Sequence, residues 1–179
     1  MLKVELKKTL PYIGIPFLVI ALLIYRMEMQ AFILFQSMMI IAFGYVAAVC
    51  DLKTKRVPNI LVLTMLGSWV ITMTSYLFWD INIAPIFLRD AAFGFLAGGL
   101  LFMLIYIVSR KSLGGGDVKF MASAGLYIGF DNTLEAMFYG WVFAGFTALT
   151  LMLLKKSGRQ DAMPLIPFLY FGILLVIFF

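Results

Sequence analysis

Long apolar runs constrain this chain more than any other feature. Six of them, at approximately 9–25, 31–50, 59–79, 87–108, 133–154 and 163–179, have the length of a membrane-spanning helix, and a seventh, 118–130, is shorter. Crossing the hydrocarbon core takes about 20 apolar residues in a helix. Inside lipid the backbone must satisfy its own hydrogen bonds, which a helix does within one segment. The predicted fold class is therefore all-α: a polytopic membrane helix bundle of about seven transmembrane helices. The composition agrees, with 64% of residues hydrophobic and 13% charged, against about 45–50% and about 25% in soluble domains. One integral-membrane unit over 1–179 is expected, with an extra N-terminal helix in 1–28 and a six-helix core in 30–179. The short run 118–130 is expected to start deeper in the membrane or to lean on protein neighbours rather than lipid.

Charge sets the orientation. Lys3, Lys7 and Lys8 precede the first run in the manner of a signal peptide, but that run ends at Tyr25-Arg26-Met27 without a small-residue cleavage site, which predicts an uncleaved first helix. With a cytoplasmic N-terminus and seven crossings, Lys3, Lys7, Lys8, Lys53, Lys55, Arg56, Arg110, Lys111, Lys119, Lys155, Lys156 and Arg159 are all cytoplasmic. Only Arg26 and Arg89 fall outside. This is the orientation that basic loop residues select. The net charge of +5 is spent in these short clusters between apolar runs, so no nucleic-acid partner is expected. Small residues four apart, Gly94 and Gly98, Gly125 and Gly129, Gly140 and Ala144, read as helix-packing stripes. Trp69, Trp79 and Trp141 read as packing or interface aromatics.

The chain has no histidine and one cysteine, Cys50. Ser-His-Asp and Cys-His catalysis and every histidine metal site are excluded, and neither a metal nor a cofactor is expected. Carboxylates remain. Asp51 ends the run 31–50 and Asp117 precedes the run 118–130, so antiparallel helices bring both to the cytoplasmic edge. Asp80, Asp90, Asp131 and Glu135 lie at the opposite face, ~30 Å away across the core. Glu5 and Asp161 share the cytoplasmic side but sit in a tail and a loop. Helix N-capping is the ordinary explanation for an acid placed like Asp117. Gly114, Gly115 and Gly116 precede it, removing side-chain bulk where an extended substrate backbone could lie. A phosphate site is disfavoured by the acid itself and by the lack of a following Gly-Lys-Ser/Thr.

Two close carboxylates hydrolyse a peptide with no other group: one, ionised, takes a proton from water, and the other, protonated, polarises the carbonyl. Helix polarity assigns the ionised role to Asp117, at a helix N-terminus, and the proton to Asp51, at a C-terminus. Two rivals use the same region. Lys119 and Ser123, four apart on one helix face, have the spacing of a Ser–Lys dyad. A small transporter or proton path would use the same aspartates, but would be expected to show repeated halves and acids near the midplane. A scaffold for a secretion machine is the non-enzymatic reading.

Three segments resemble a known family. Asp51-Leu-Lys-Thr-Lys-Arg56-Val-Pro58-Asn59 resembles the first motif of the type IV prepilin peptidases. Gly114-Gly-Gly116-Asp117-Val-Lys119-Phe-Met-Ala122-Ser-Ala-Gly125-Leu-Tyr-Ile-Gly129 resembles their second, the glycine-x-glycine-aspartate motif, and Pro164-Leu-Ile-Pro167-Phe168-Leu169 their late proline segment. The resemblance implies an aspartic endopeptidase, multi-pass in the inner membrane, that removes short basic leaders from prepilin-like precursors, typically just after a glycine. It makes Asp51 and Asp117 catalytic. Gly114, Gly115, Gly116, Lys119, Arg56, Pro58, Asn59 and Pro167 are expected to receive or orient the substrate, although positive-inside anchoring also accounts for the basic residues. Pro58 is expected to start a helix, and Pro164 and Pro167 to distort the start of the last one. Larger members carry a cytoplasmic insert with paired cysteines and also N-methylate the product. Cys50 stands alone here, so a peptidase without methyl transfer is expected. The late segment has Leu165 and Ile166 where a glycine is usual, and Val57 replaces a commoner isoleucine. The partners implied are the precursor and the lipid bilayer; the oligomeric state is not written in the sequence.

Overall fold

The computed structural model describes residues 31–108, 114–154 and 164–179, and among these every regular element is a helix. The helices are α1 Ala31–Thr54, α2 Asn59–Trp79, α3 Ala84–Val108, α4 Gly115–Ile128, α5 Phe130–Leu153 and α6 Ile166–Phe178. Four of them, α1, α2, α3 and α5, are long and apolar enough to cross a membrane. The expected first helix over 9–25 lies outside the described residues, as do Lys3, Lys7, Lys8, Arg26, Arg110, Lys111, Lys155, Lys156 and Arg159. Large apolar side chains such as Leu63, Ile71, Leu104 and Phe146 are exposed on the outer faces of α2, α3 and α5, the surface a bilayer would cover.

The short run proves to be the centre of the bundle. α4 has only 14 residues, about 21 Å of helix, and it packs against α1, α2, α3 and α5. Phe120, Met121 and Ala124 are fully buried on it. It leans on protein, as its length required. Its closest neighbour is α3, which runs antiparallel to it. A Cβ on Gly94 would strike the carbonyl oxygen of Gly125, and one on Gly98 would sit 2.5 Å from that of Met121. The stripe of small residues therefore serves backbone-to-backbone approach. The second antiparallel pair is α5 with α6, where a Cβ on Gly140 would lie 3.0 Å from Leu169 Cα. Trp69 is buried in the core, whereas Trp79 is exposed at the end of α2.

Two tight turns fix which residues share an end. Lys55 follows α1 with φ 52°, and its N–H donates to Asp51 O at 2.8 Å. A side chain in this left-handed conformation costs about 1–2 kcal/mol, and the reversal delivers Pro58 as the N-cap of α2. Pro58 thus starts a helix, as expected. At the other end Gly129, φ 79°, is the whole connection between α4 and α5. The Asp90 carboxylate packs on Gly129, leaving no room for a Cβ, and accepts the Phe130 N–H at 3.0 Å. Asp80, Asp90, Asp131 and Glu135 belong to this end; Asp51 and Asp117 belong to the opposite one.

Candidate active site

The site forms where α1 ends and α4 and α6 begin. Asp51 lies in the last turn of α1, where the apolar run has finished but the helix continues to Thr54. Its carboxylate turns inward and is 5% exposed. Oδ2 accepts the backbone N–H of Ile166, the first residue of α6, at 3.1 Å. Asp51 therefore caps a helix distant in sequence. Pro167 follows at the second helical position, where its missing N–H removes a donor that would otherwise have no intrahelical partner. The late proline segment starts α6 regularly, with the Phe168 and Leu169 N–H groups both bonded to Leu165 O. The expected distortion of the last helix is replaced by an ordinary first turn.

Asp117 is 8% exposed on the other side of the site. It stands at the third position of α4 and not at the N-cap, because the helix begins at Gly115 with Gly114 as its cap. Oδ2 reaches back to accept the Gly114 N–H at 3.1 Å, while the Asp117 N–H donates to Gly114 O at 3.1 Å. This is half of a capping box; glycine has no side chain to return the bond. Asp117 is near enough to Asp51 to feel its charge.

Helix polarity no longer separates the two acids. Asp51 ends α1, but its bonded oxygen faces the N-terminus of α6, so both carboxylates meet helix N-termini. The premise for giving the proton to Asp51 is lost, and the proton belongs to the pair.

The first two sequence motifs close on each other around this pair. A Cβ on Gly116 would lie 3.1 Å from Val57 Cβ, so the glycine loop rests directly on the turn after α1. Gly115 has nothing within 4 Å of its Cβ position and faces open space. Lys119 Nζ donates to Asn59 Oδ1 at 3.0 Å, tying α4 to the start of α2. Arg56 and Pro58 are exposed on the same turn. The Ser–Lys alternative has no geometry here: Ser123 Oγ donates to the Lys119 carbonyl at 2.9 Å, and the Lys119 amine points to Asn59. Farther along, Tyr127 OH donates to Met65 O at 2.6 Å and lies 2.8 Å from Ser68 Oγ, a polar tie between α2 and α4. Sequence reading singled out neither Ile166 as the partner of Asp51 nor Tyr127. The first is a backbone group and carries no residue signal; a lone tyrosine in an apolar run is only a weak one.

Comparison with known proteins converges on the same segments. The type IV leader peptidase family matches residues 38–149, a span that includes both aspartates, the glycine loop, Asn59 and Lys119 but not the late proline segment. A relative from Pectobacterium carotovorum subsp. carotovorum, a prepilin leader peptidase/N-methyltransferase, is 26% identical over 133 residues, covering 72% of this chain. The match takes in 44% of that relative, so the chain spans less than half its length. No solved structure matches. The family match extends over well more than half of the sequence and contains the two motifs that the fold brings together, and on that ground the chain belongs to the type IV leader peptidase family.

Proposed function

We propose that this protein is a membrane aspartic endopeptidase that removes the short basic leader of a prepilin-like precursor at the cytoplasmic membrane face. The observation that carries the reading is that two buried carboxylates, Asp51 and Asp117, come from antiparallel helices to one end of the bundle, near enough for one to feel the charge of the other. One carboxylate takes a proton from the attacking water as its oxygen adds to the scissile carbonyl carbon. The other gives its proton to the carbonyl oxygen, forming a neutral tetrahedral diol. Collapse breaks the C–N bond, and the departing amine takes a proton from the pair.

The open face at Gly115 gives an extended segment a place to approach without side-chain obstruction. Gly114, Gly116, Arg56, Pro58, Asn59 and Lys119 surround that approach, and Pro167 holds the first turn that Asp51 caps. A basic leader stays in the cytoplasm while the apolar helix after it enters lipid, so its scissile bond lies at the depth of the aspartates. Among the described residues the acids sit at the two ends of the bundle and not at mid-depth, which favours a peptidase over a proton path. With Cys50 as the single cysteine, the new N-terminus is expected to leave unmethylated.

Co-expression with a candidate precursor, with leader removal followed on a gel, tests the proposal. Wild type should shorten the precursor; Asp51→Asn and Asp117→Asn, each inserted in the membrane, should not. Cleavage surviving either change would refute the assignment.

A further inference from the structure

Beside Lys119 the wall of the bundle is open. α2 and α3 both rest on α4, and between them they leave a groove of about 350 Å³. Val62 and Leu66 of α2 form one wall, Leu96 and Leu100 of α3 the other, and Ala122 of α4 the floor. Each pair of wall residues is one helical turn apart, so the groove runs along the helices. Gly99 also lines it. Unlike Gly94 and Gly98, Gly99 is not pressed on a backbone: a Cβ there would meet only Ala122 Cβ, at 3.3 Å. A Cβ at this position would press on a side chain and not on a backbone, and the small residue keeps this wall low enough for another helix to come close.

We propose that this groove docks the apolar helix that follows the scissile bond of the substrate, admitted sideways from the bilayer between α2 and α3. The inference rests on the peptidase reading and adds to it the surface that recognises the substrate. Three observations select a helix as occupant. The groove reaches Val118 and Lys119, the two residues after Asp117 on α4, so one end of it lies within a helical turn of the candidate catalytic site. Among the described residues its only charged lining group is Lys119, at that same end; the rest is apolar save Ser123, whose hydroxyl is already bonded to backbone. A chain with a polar segment at the aspartates and an apolar helix leading away has the same polarity. Leu96 and Leu100, 47% and 59% exposed, present side chains at the spacing that interdigitates with a helix.

Site-specific photocross-linking tests the proposal, using a membrane-anchored precursor with a basic leader ahead of one apolar helix. Cross-linkers at Leu96 and Leu100 should capture that helix; cross-linkers at Phe146 and Leu149, also exposed on α5, should not. Gly99→Leu should raise KM for the anchored precursor about tenfold and leave cleavage of a soluble peptide, the leader plus a few mature residues, unchanged. If Gly99→Leu fails to accumulate, Leu100→Trp, a change at a lipid-exposed position, makes the same test. Capture of lipid alone from Leu96 and Leu100, equal capture from α5, or an equal effect on precursor and peptide would overturn the groove. Capture of the helix with no cleavage by wild type would instead overturn the peptidase reading and leave the groove standing.

Discussion

Asp51 serves two helices at once: it closes the last turn of α1, and its side chain holds the first N–H of α6. The two roles separate by substitution. Asparagine keeps an oxygen for the Ile166 N–H but cannot ionise, so Asp51→Asn should lose cleavage while its thermal unfolding in detergent stays near wild type. Asp51→Ala removes the cap as well and should cost about 1 kcal/mol more, read as a lower unfolding temperature than Asp51→Asn. Equal stability of the two variants would show that the bond to Ile166 contributes nothing. Ser123→Ala should retain cleavage, because the hydroxyl it removes is spent on the Lys119 carbonyl; loss of cleavage with folding intact would revive the Ser–Lys chemistry.

Among the helices, the glycines of α2 and α3 make opposite predictions. Gly94 opposes the backbone of Gly125, and any side chain there must push α3 off α4, at a cost of about 1–3 kcal/mol. Gly94→Ala should lower the unfolding temperature. Gly67 has nothing within 4 Å of its Cβ position, so Gly67→Ala should gain up to about 1 kcal/mol of helix propensity and raise it. The long helices were legible because a run of apolar residues near the thickness of a membrane admits little else. Their ends were less so. α4 starts at Gly115 because the Asp117 side chain reaches back to Gly114, and it stops at Gly129 because only glycine tolerates that φ beside Asp90. Both are side-chain events that hydropathy does not see. The placement of both aspartates at one end followed from counting basic residues between runs. The pairing of Asp51 with Ile166, 115 residues later, is tertiary and left no mark on either segment. The reading of Pro167 as a distortion failed for the same reason: whether a proline breaks a helix or begins one depends on where the helix starts.

Across the whole molecule, α4 acts as an inner post around which the longer helices stand. It carries Asp117 at one end and the Gly129 turn at the other, and it is shielded from lipid along most of its length. A site on such a post is held by packing from α1, α2, α3 and α5 at once, while the groove between α2 and α3 leaves one side approachable from the bilayer. The proposed reaction is hydrolysis of one peptide bond by Asp51 and Asp117 together. The most direct measurement is mass analysis of both products after the purified full chain, reconstituted in vesicles, meets a purified precursor. Wild type should make a single cut between leader and apolar helix and leave an unmethylated new N-terminus, and Asp51→Asn and Asp117→Asn should give no products. Intact precursor with wild type, or the same cut made by either variant, would contradict it.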